Sequence, residues 1–197
     1  MTPRSVIIAL AAAVLSCTSP LAQAARADDH AMLSTTLDAQ TPQLEALAMA
    51  LWAQPELGYL EHASSRCLQE ALIEAGFKVE SGIAGMPTSF VARAGNKGAG
   101  PVLALLAEMD ALPGASQVAL PHRAAVDGQA DGHACGHNLF GAGAVVAAIA
   151  IGQWLQASGV DGEIRLYGTP AEEGGSGKVY LAKAGVFDDV DVVLHWH

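Results

Sequence analysis

The sequence predicts an α/β fold, a largely parallel sheet flanked by helices. Three observations carry that expectation. Apolar runs of strand length alternate along the chain with segments of helical periodicity. Residues 101–107 (PVLALLA) form an unbroken apolar run, as in a strand covered on both faces. Residues 139–155 are long, apolar and rich in Ala and Gly, a composition that suits a helix packed closely on a sheet.

The elements follow in order. Thr41 and Pro42 predict an N-cap and a proline in the first helical position, and Leu44, Leu47, Ala48 and Leu51 recur at helical spacing after them. A second helix is predicted over residues 64–75, with Leu68, Ala71 and Leu72 inward and Gly76 as its stop. Residues 77–80 and 89–94 are short strands, and Asn96-Lys97-Gly98 is a turn before the apolar strand. Residues 111–136, with Pro113, Gly114, Pro121, Gly128, Gly132 and Gly136, form a loop before the long helix. A strand over 163–168, a Gly-rich loop, a short helix over 178–184 closed by Gly185, and a strand over 190–194 complete the pattern. There is no internal repeat and no low-complexity linker.

The chain has 197 residues, 51% of them apolar and only 15% charged, which excludes wholesale disorder. Its net charge of −10 argues against a nucleic-acid partner, because such proteins gather Lys and Arg on one face. Cys17, Cys67 and Cys135 are too few and too scattered for a disulfide framework. At the start, Arg4 precedes an apolar run over residues 6–15, too short for a membrane span, and Ala22-Gln23-Ala24 offers a small-x-small cleavage pattern. Residues 1–24 are therefore expected to be a signal peptide and residues 25–41 a polar segment, with the protein periplasmic or secreted. Lipid attachment at Cys17, in the loose lipobox Val14-Leu15-Ser16-Cys17, is the alternative.

In α/β sheets ligands bind beyond the carboxyl ends of the strands, and the polar clusters fall there. Glu108 and Asp110 follow the strand ending near Ala107, Glu172 and Glu173 the strand ending near Gly168, and His195 and His197 close the last strand. His133, Cys135 and His137 stand at the entrance to the long helix. A thiol and two imidazoles in a Gly-flanked loop suit a metal, and the helix N-terminus is expected to favour the thiolate a metal needs. A nucleophilic Cys135 with a His partner is the alternative. Of the adjacent Glu172 and Glu173, one can hold a metal while the other takes the proton of a bound water. His195 and His197 point to the same side, so either can ligate. Glu108 and Asp110 are candidates to orient a ligand. A phosphate loop ending at Gly177-Lys178 is excluded, because Glu172 stands where its first glycine belongs and Val179 follows the lysine. His30, His62 and His122 have no cluster around them and are expected at the surface.

These pieces, in this order, resemble the amidohydrolase branch of the co-catalytic metallopeptidases, which includes hippurate hydrolases and indole-acetyl-amino-acid hydrolases. The likeness is strongest to the aminobenzoyl-glutamate utilisation protein B group. It covers residues 42–197 through PELG at 55–58, EMDALP at 108–113, HACGHN at 133–138, TPAEEG at 169–174 and the terminal Trp196-His197. The resemblance implies a pair of divalent cations, Zn²⁺ or Mn²⁺, and hydrolysis of the amide of an N-acyl or N-aroyl amino acid. It implies Cys135, His137, Glu173 and His197 as metal ligands, Glu172 as general base and Asp110 as support for the centre, with the role of Glu108 open. It further implies that residues 42–197 are the N-terminal part of a catalytic domain, without the family's lid and dimerisation domain, and that the full-length form is a homodimer. No membrane span is expected. The rival expectation is a truncated fragment that binds metal or a partner without catalysis.

Overall fold

A computed structural model describes residues 20–197, with side chains from residue 27 onward. The expected signal-peptide run and Cys17 lie outside the described residues. Helix α1 (Pro20–Ala39) leads into α2 (Thr41–Ala53), and α3 (His62–Glu74) follows. Strands β1 (Lys78–Ser81), β2 (Phe90–Gly95) and β3 (Val102–Ala107) precede the long helix α4 (His137–Ser158). Strand β4 (Glu163–Gly168), helix α5 (Gly177–Lys183) and strand β5 (Val192–Leu194) complete the chain.

The order across the sheet is β1-β2-β4-β3-β5. Strand β3 runs parallel to both β4 and β5, so the expected parallel pairing holds for that half. The sheet as a whole is mixed, because β2 is antiparallel to both β1 and β4. The connection from β1 to β2 is short and turns the chain straight back, whereas β3 reaches β4 by way of α4, the crossover that parallel neighbours need. Strand β4 thereby sits between β2 and β3, which are adjacent in sequence.

The segment expected to be merely polar is helical. Gln40 is itself in a helical conformation (φ −87°, ψ −3°), so α1 runs almost without interruption into α2, and Thr41 lies inside the helix instead of capping it. Gln40 N–H bonds to the carbonyl of Thr36 at 3.1 Å while its own carbonyl accepts from Leu44 N–H at 3.0 Å. Pro42 is tolerated because first-turn N–H groups have no intrahelical partner. The Trp154 indole N–H donates to Asp29 at 2.9 Å and ties α1 to α4.

Helix α4 is the hub of the main core. Ala142, Val145, Ala148 and Ile149 pack on Leu105, Ala107, Ile164 and Leu166 of the sheet and on Leu47, Leu51, Leu68 and Leu72 of α2 and α3. It is long and apolar enough to cross a bilayer, but 56% of its most apolar window is buried inside the chain, as its Ala and Gly content predicts. Gly141 sets how close the helix comes: a Cβ there would lie 2.6 Å from the carbonyl oxygen of Glu108. The opposite face of the sheet carries a smaller cluster, Val91, Ala104 and Tyr167 under Val186, Phe187 and Val190.

Candidate metal centre

Strand β3 ends at Ala107 and hands the chain to Glu108, Met109 and Asp110, all buried. The loop that follows is folded back onto this point. Leu112 and Gly132 exchange both backbone hydrogen bonds at 3.0 and 3.1 Å, which returns residues 133–137 to the side of Glu108 and Asp110. Ala111 N–H donates to the Glu56 carbonyl at 2.8 Å, and the Glu56 carboxylate accepts from Ala63 N–H at 3.0 Å and Ser64 N–H at 2.8 Å. The PELG segment therefore braces the centre and starts α3. Gly136 (φ 96°) takes the left-handed turn that opens α4, so Cys135 and His137 sit on either side of that bend.

The loop after β4 supplies the glutamates. Thr169 N–H bonds to the Ala107 carbonyl at 2.9 Å, extending the β3–β4 ladder by one step. Ala171 then adopts φ 55°, a left-handed conformation that costs an alanine about 1–2 kcal/mol. Glu61 holds it there: the buried carboxylate accepts from Ala171 N–H at 2.7 Å and from the Thr88 hydroxyl at 2.8 Å. At the end of β5, Trp196 packs edge-on to Phe140 of α4 with ring centroids 4.4 Å apart, which lays His197 over the start of that helix.

His137 is the pivot and is fully buried. Its Nδ1 lies 3.0 Å from Asp110 Oδ1 and 2.9 Å from the Asp110 carbonyl oxygen. Its Nε2 faces Glu108 Oε2 at 3.1 Å, His197 Nε2 at 3.4 Å, Glu172 at 3.7 Å and Glu173 at 4.0 Å. Cys135 Sγ is 3.5 Å from His197 Nε2, and Glu173 N–H donates to Asp110 Oδ2 at 2.8 Å. Asp110, Cys135, His137, Glu172, Glu173 and His197, the site residues implied by the resemblance, thus meet at one place. His195 also reaches it, through Glu108 Oε1 at 3.1 Å.

The electrostatics are those of a site that lacks positive charge. Burial works to raise the Glu108 carboxyl, but His137 and the Lys178 ammonium hold it down to about 2. Burial likewise opposes a charge on His137, yet Asp110 and Glu108 keep its pKa up at about 10. The Cys135 thiol is pushed up to about 11 by burial and by Glu173, Glu172 and Glu108. The helix N-terminus does not overcome those carboxylates, so the expected bias toward thiolate is reversed until a cation enters. Glu108 Oε2 is buried with no hydrogen-bond partner among the described residues.

Two groups of ligand atoms lie within 4.8 Å of one another: Cys135, His137 and His197, and Glu108, His137, Glu172 and His197. A mixed set of thiol, imidazole and carboxylate donors, sharing two histidines and including an unsatisfied buried oxygen, fits a divalent cation pair.

His133 stays apart. It is buried, burial drops its pKa to about 4, and neither ring nitrogen has a hydrogen-bond partner among the described residues. His30, His62 and His122 are exposed, as expected. Sequence reasoning missed Glu61 and Lys178. Glu61 carries no pattern of its own, and Lys178 was visible only as part of an excluded phosphate loop; each acts through a partner more than 60 positions away.

Comparison with known proteins agrees with this geometry. Residues 104–197, which carry most of the centre, match the family model Peptidase family M20/M25/M40. Residues 104–197 belong to the peptidase M20 family. It is 41% identical over 169 residues to a p-aminobenzoyl-glutamate hydrolase subunit of Escherichia coli, covering 85% of this chain and 35% of that protein. It is 35% identical over 172 residues to the Xaa-Arg dipeptidase of Mus musculus, covering 82% of this chain and 36% of that protein. The fold resembles that of a dinuclear metal-binding M20 peptidase from Bacillus subtilis with a TM-score of 0.68 at 27% identity, covering 81% of this chain and 44% of that one. The chain thus spans little more than a third of the length of these curated relatives.

Proposed function

We propose that this chain forms part of a metal-dependent amidohydrolase that cleaves N-acyl or N-aroyl amino acids, with aminobenzoyl-glutamate as the type of substrate. The observation that carries the proposal is the convergence of Cys135, His137, Glu172 and His197 beyond the ends of β3, β4 and β5, around the unsatisfied Glu108 oxygen, with Glu173 4.0 Å from His137 Nε2. The 41% identity to an aminobenzoyl-glutamate hydrolase chain supports the substrate class.

Cys135, His137, Glu173 and His197 would hold two divalent cations, Zn²⁺ or Mn²⁺. When bound, such a pair polarises the amide carbonyl and makes water acidic enough to attack at neutral pH. Asp110 accepts a hydrogen bond from His137 Nδ1–H, which fixes the tautomer and turns the Nε2 lone pair toward the centre. Glu172 is the base: its side chain is 35% exposed, open to water and substrate, with Oε2 3.7 Å from His137 Nε2. It takes a proton from water and returns it to the departing amine nitrogen. A thiol nucleophile is disfavoured, because burial and the carboxylates around Cys135 raise its pKa to about 11. We further propose export of the protein, on the strength of the Ala22-Gln23-Ala24 pattern, and a homodimer for the whole enzyme, on the strength of the family resemblance.

The test is amine release from aminobenzoyl-glutamate, hippurate and an Xaa-Arg dipeptide, before chelation, after it, and after Zn²⁺ or Mn²⁺ is restored. Turnover of the first substrate that is lost in chelator and regained with metal is expected. Glu172→Gln should bind metal and turn nothing over; retained turnover would remove Glu172 as the base. Preference for the Xaa-Arg dipeptide would overturn the substrate class and leave the chemistry standing.

A further inference from the structure

The roles assigned so far leave out Glu108, Lys178 and His195, all of which reach the centre. Glu108 is 1% exposed, and its two oxygens are used differently. Oε1 takes the Lys178 ammonium and His195 Nε2. Oε2 faces His137 Nε2 at 3.1 Å and His197 Nε2 at 3.5 Å and lacks a hydrogen-bond partner among the described residues. An outer oxygen that is clamped and an inner oxygen that faces only imidazole nitrogens describe a carboxylate presented to something between the histidines. This is not a surface pair: Lys178 is 29% exposed at the side chain and reaches down to a carboxylate that solvent does not touch.

Charge leads to the same place. Glu108, Asp110, Glu172, Glu173 and a Cys135 thiolate bring five negative charges to the centre, and two divalent cations bring four positive ones. The ammonium of Lys178 is the fifth.

We propose that Glu108 is a further donor to the metal pair and that Lys178 is its built-in countercation, a positioning residue that holds the outer oxygen and makes the loaded centre neutral. The proposal rests on the metal-centre reading above. It has a directional consequence. Lys178 repels the cations while it restrains Glu108, and the repulsion of a divalent ion outweighs the restraint of one side-chain rotamer. Removing the ammonium should therefore tighten metal binding.

The experiment is a titration of the metal-free 197-residue chain with Zn²⁺ and Mn²⁺ against a chelating dye. Lys178→Met should lower the Kd by roughly tenfold, and Lys178→Gln, which keeps a donor for Glu108 without the charge, should move it the same way. Lys178→Arg should leave it within about threefold of the parent. Glu108→Gln should raise the Kd by roughly tenfold or more, as loss of a carboxylate donor does. Unchanged or weaker binding in both neutral Lys178 variants, or unchanged binding in Glu108→Gln, would overturn the proposal. If the parent chain binds neither cation, this proposal and the metal-centre reading fall together. If it binds them and only the variants fail to respond, the metal-centre reading survives alone.

Discussion

The brace that Glu61 applies to the glutamate loop can be tested by removing it. The fully buried Glu61 carboxylate receives hydrogen bonds from Ala171 N–H at 2.7 Å and from the Thr88 hydroxyl at 2.8 Å, and it spans 110 residues to do so. Hydrogen bonds to a charged partner contribute about 1.5–3 kcal/mol each, and a buried donor left without an acceptor costs about 1–3 kcal/mol. Set against this is the burial of the carboxylate itself, which raises its pKa above the ordinary 4.5. Glu61→Ala should therefore destabilise the chain by about 3 kcal/mol, whereas Glu61→Gln, which keeps an acceptor for Ala171, should cost less than about 1 kcal/mol. Ala171 is also released from its left-handed conformation in Glu61→Ala, which moves Glu172 and Glu173 off the centre, so that variant should lose metal affinity as well. Urea denaturation gives the first quantity and the dye titration the second. The pH dependence has a definite sign. A carboxyl whose pKa is raised on folding stabilises most below its unfolded value, and that contribution fades as pH rises from about 4.5 through the folded value. Glu61→Gln should lack that decline. A Glu61→Ala protein within about 0.5 kcal/mol of the parent and with unchanged metal affinity would refute the reasoning.

Three further outcomes are expected. Gly141→Ala should destabilise by about 1–3 kcal/mol, despite alanine's better helix propensity, because its Cβ would meet the Glu108 carbonyl oxygen at 2.6 Å; a rise in thermal midpoint would contradict that packing. Asp110→Asn should weaken metal binding by roughly 10–100-fold, since the amide removes the negative charge behind His137 and puts an NH2 where a carboxylate oxygen had accepted from either His137 Nδ1–H or Glu173 N–H, and the same dye titration reads it. Arg165 holds the Asp189 carboxyl down to about 2, so its contribution is present above the ordinary value of 3.8 and is lost as pH falls through about 2. The thermal midpoints of the parent and Asp189→Asn should therefore differ at pH 5 and converge near pH 2.

What could be read from the chain alone is what local chemistry determines. Residues 101–107 were legible as a strand because burial on both faces leaves little room for polar residues, residues 163–168 because Ile164 and Leu166 alternate with Glu163, Arg165 and Tyr167, and they are β3 and β4 within a residue. The donors were legible because each follows a strand end or opens a helix, the places where an α/β sheet gathers polar groups. Local chemistry left His195 and His197 equivalent; the choice of His197 came from the family resemblance, and Trp196 packing on Phe140 is what lays it over the start of α4.

The remainder depended on which distant segments met. The same alternation of apolar and polar residues serves parallel and antiparallel strands, so nothing local placed β4 between β2 and β3 or reversed β2. Residues 25–41 carry little apolar periodicity, and their helix is tied down by α4 through Trp154 and Asp29. Glu61 and Lys178 gain their roles from Ala171 and Glu108, 110 and 70 positions away. Residue type and short-range spacing determine which groups can do chemistry. Only the folded chain decides which of them share a low-dielectric space, and it is there that an unpaired oxygen or a single ammonium acquires consequence.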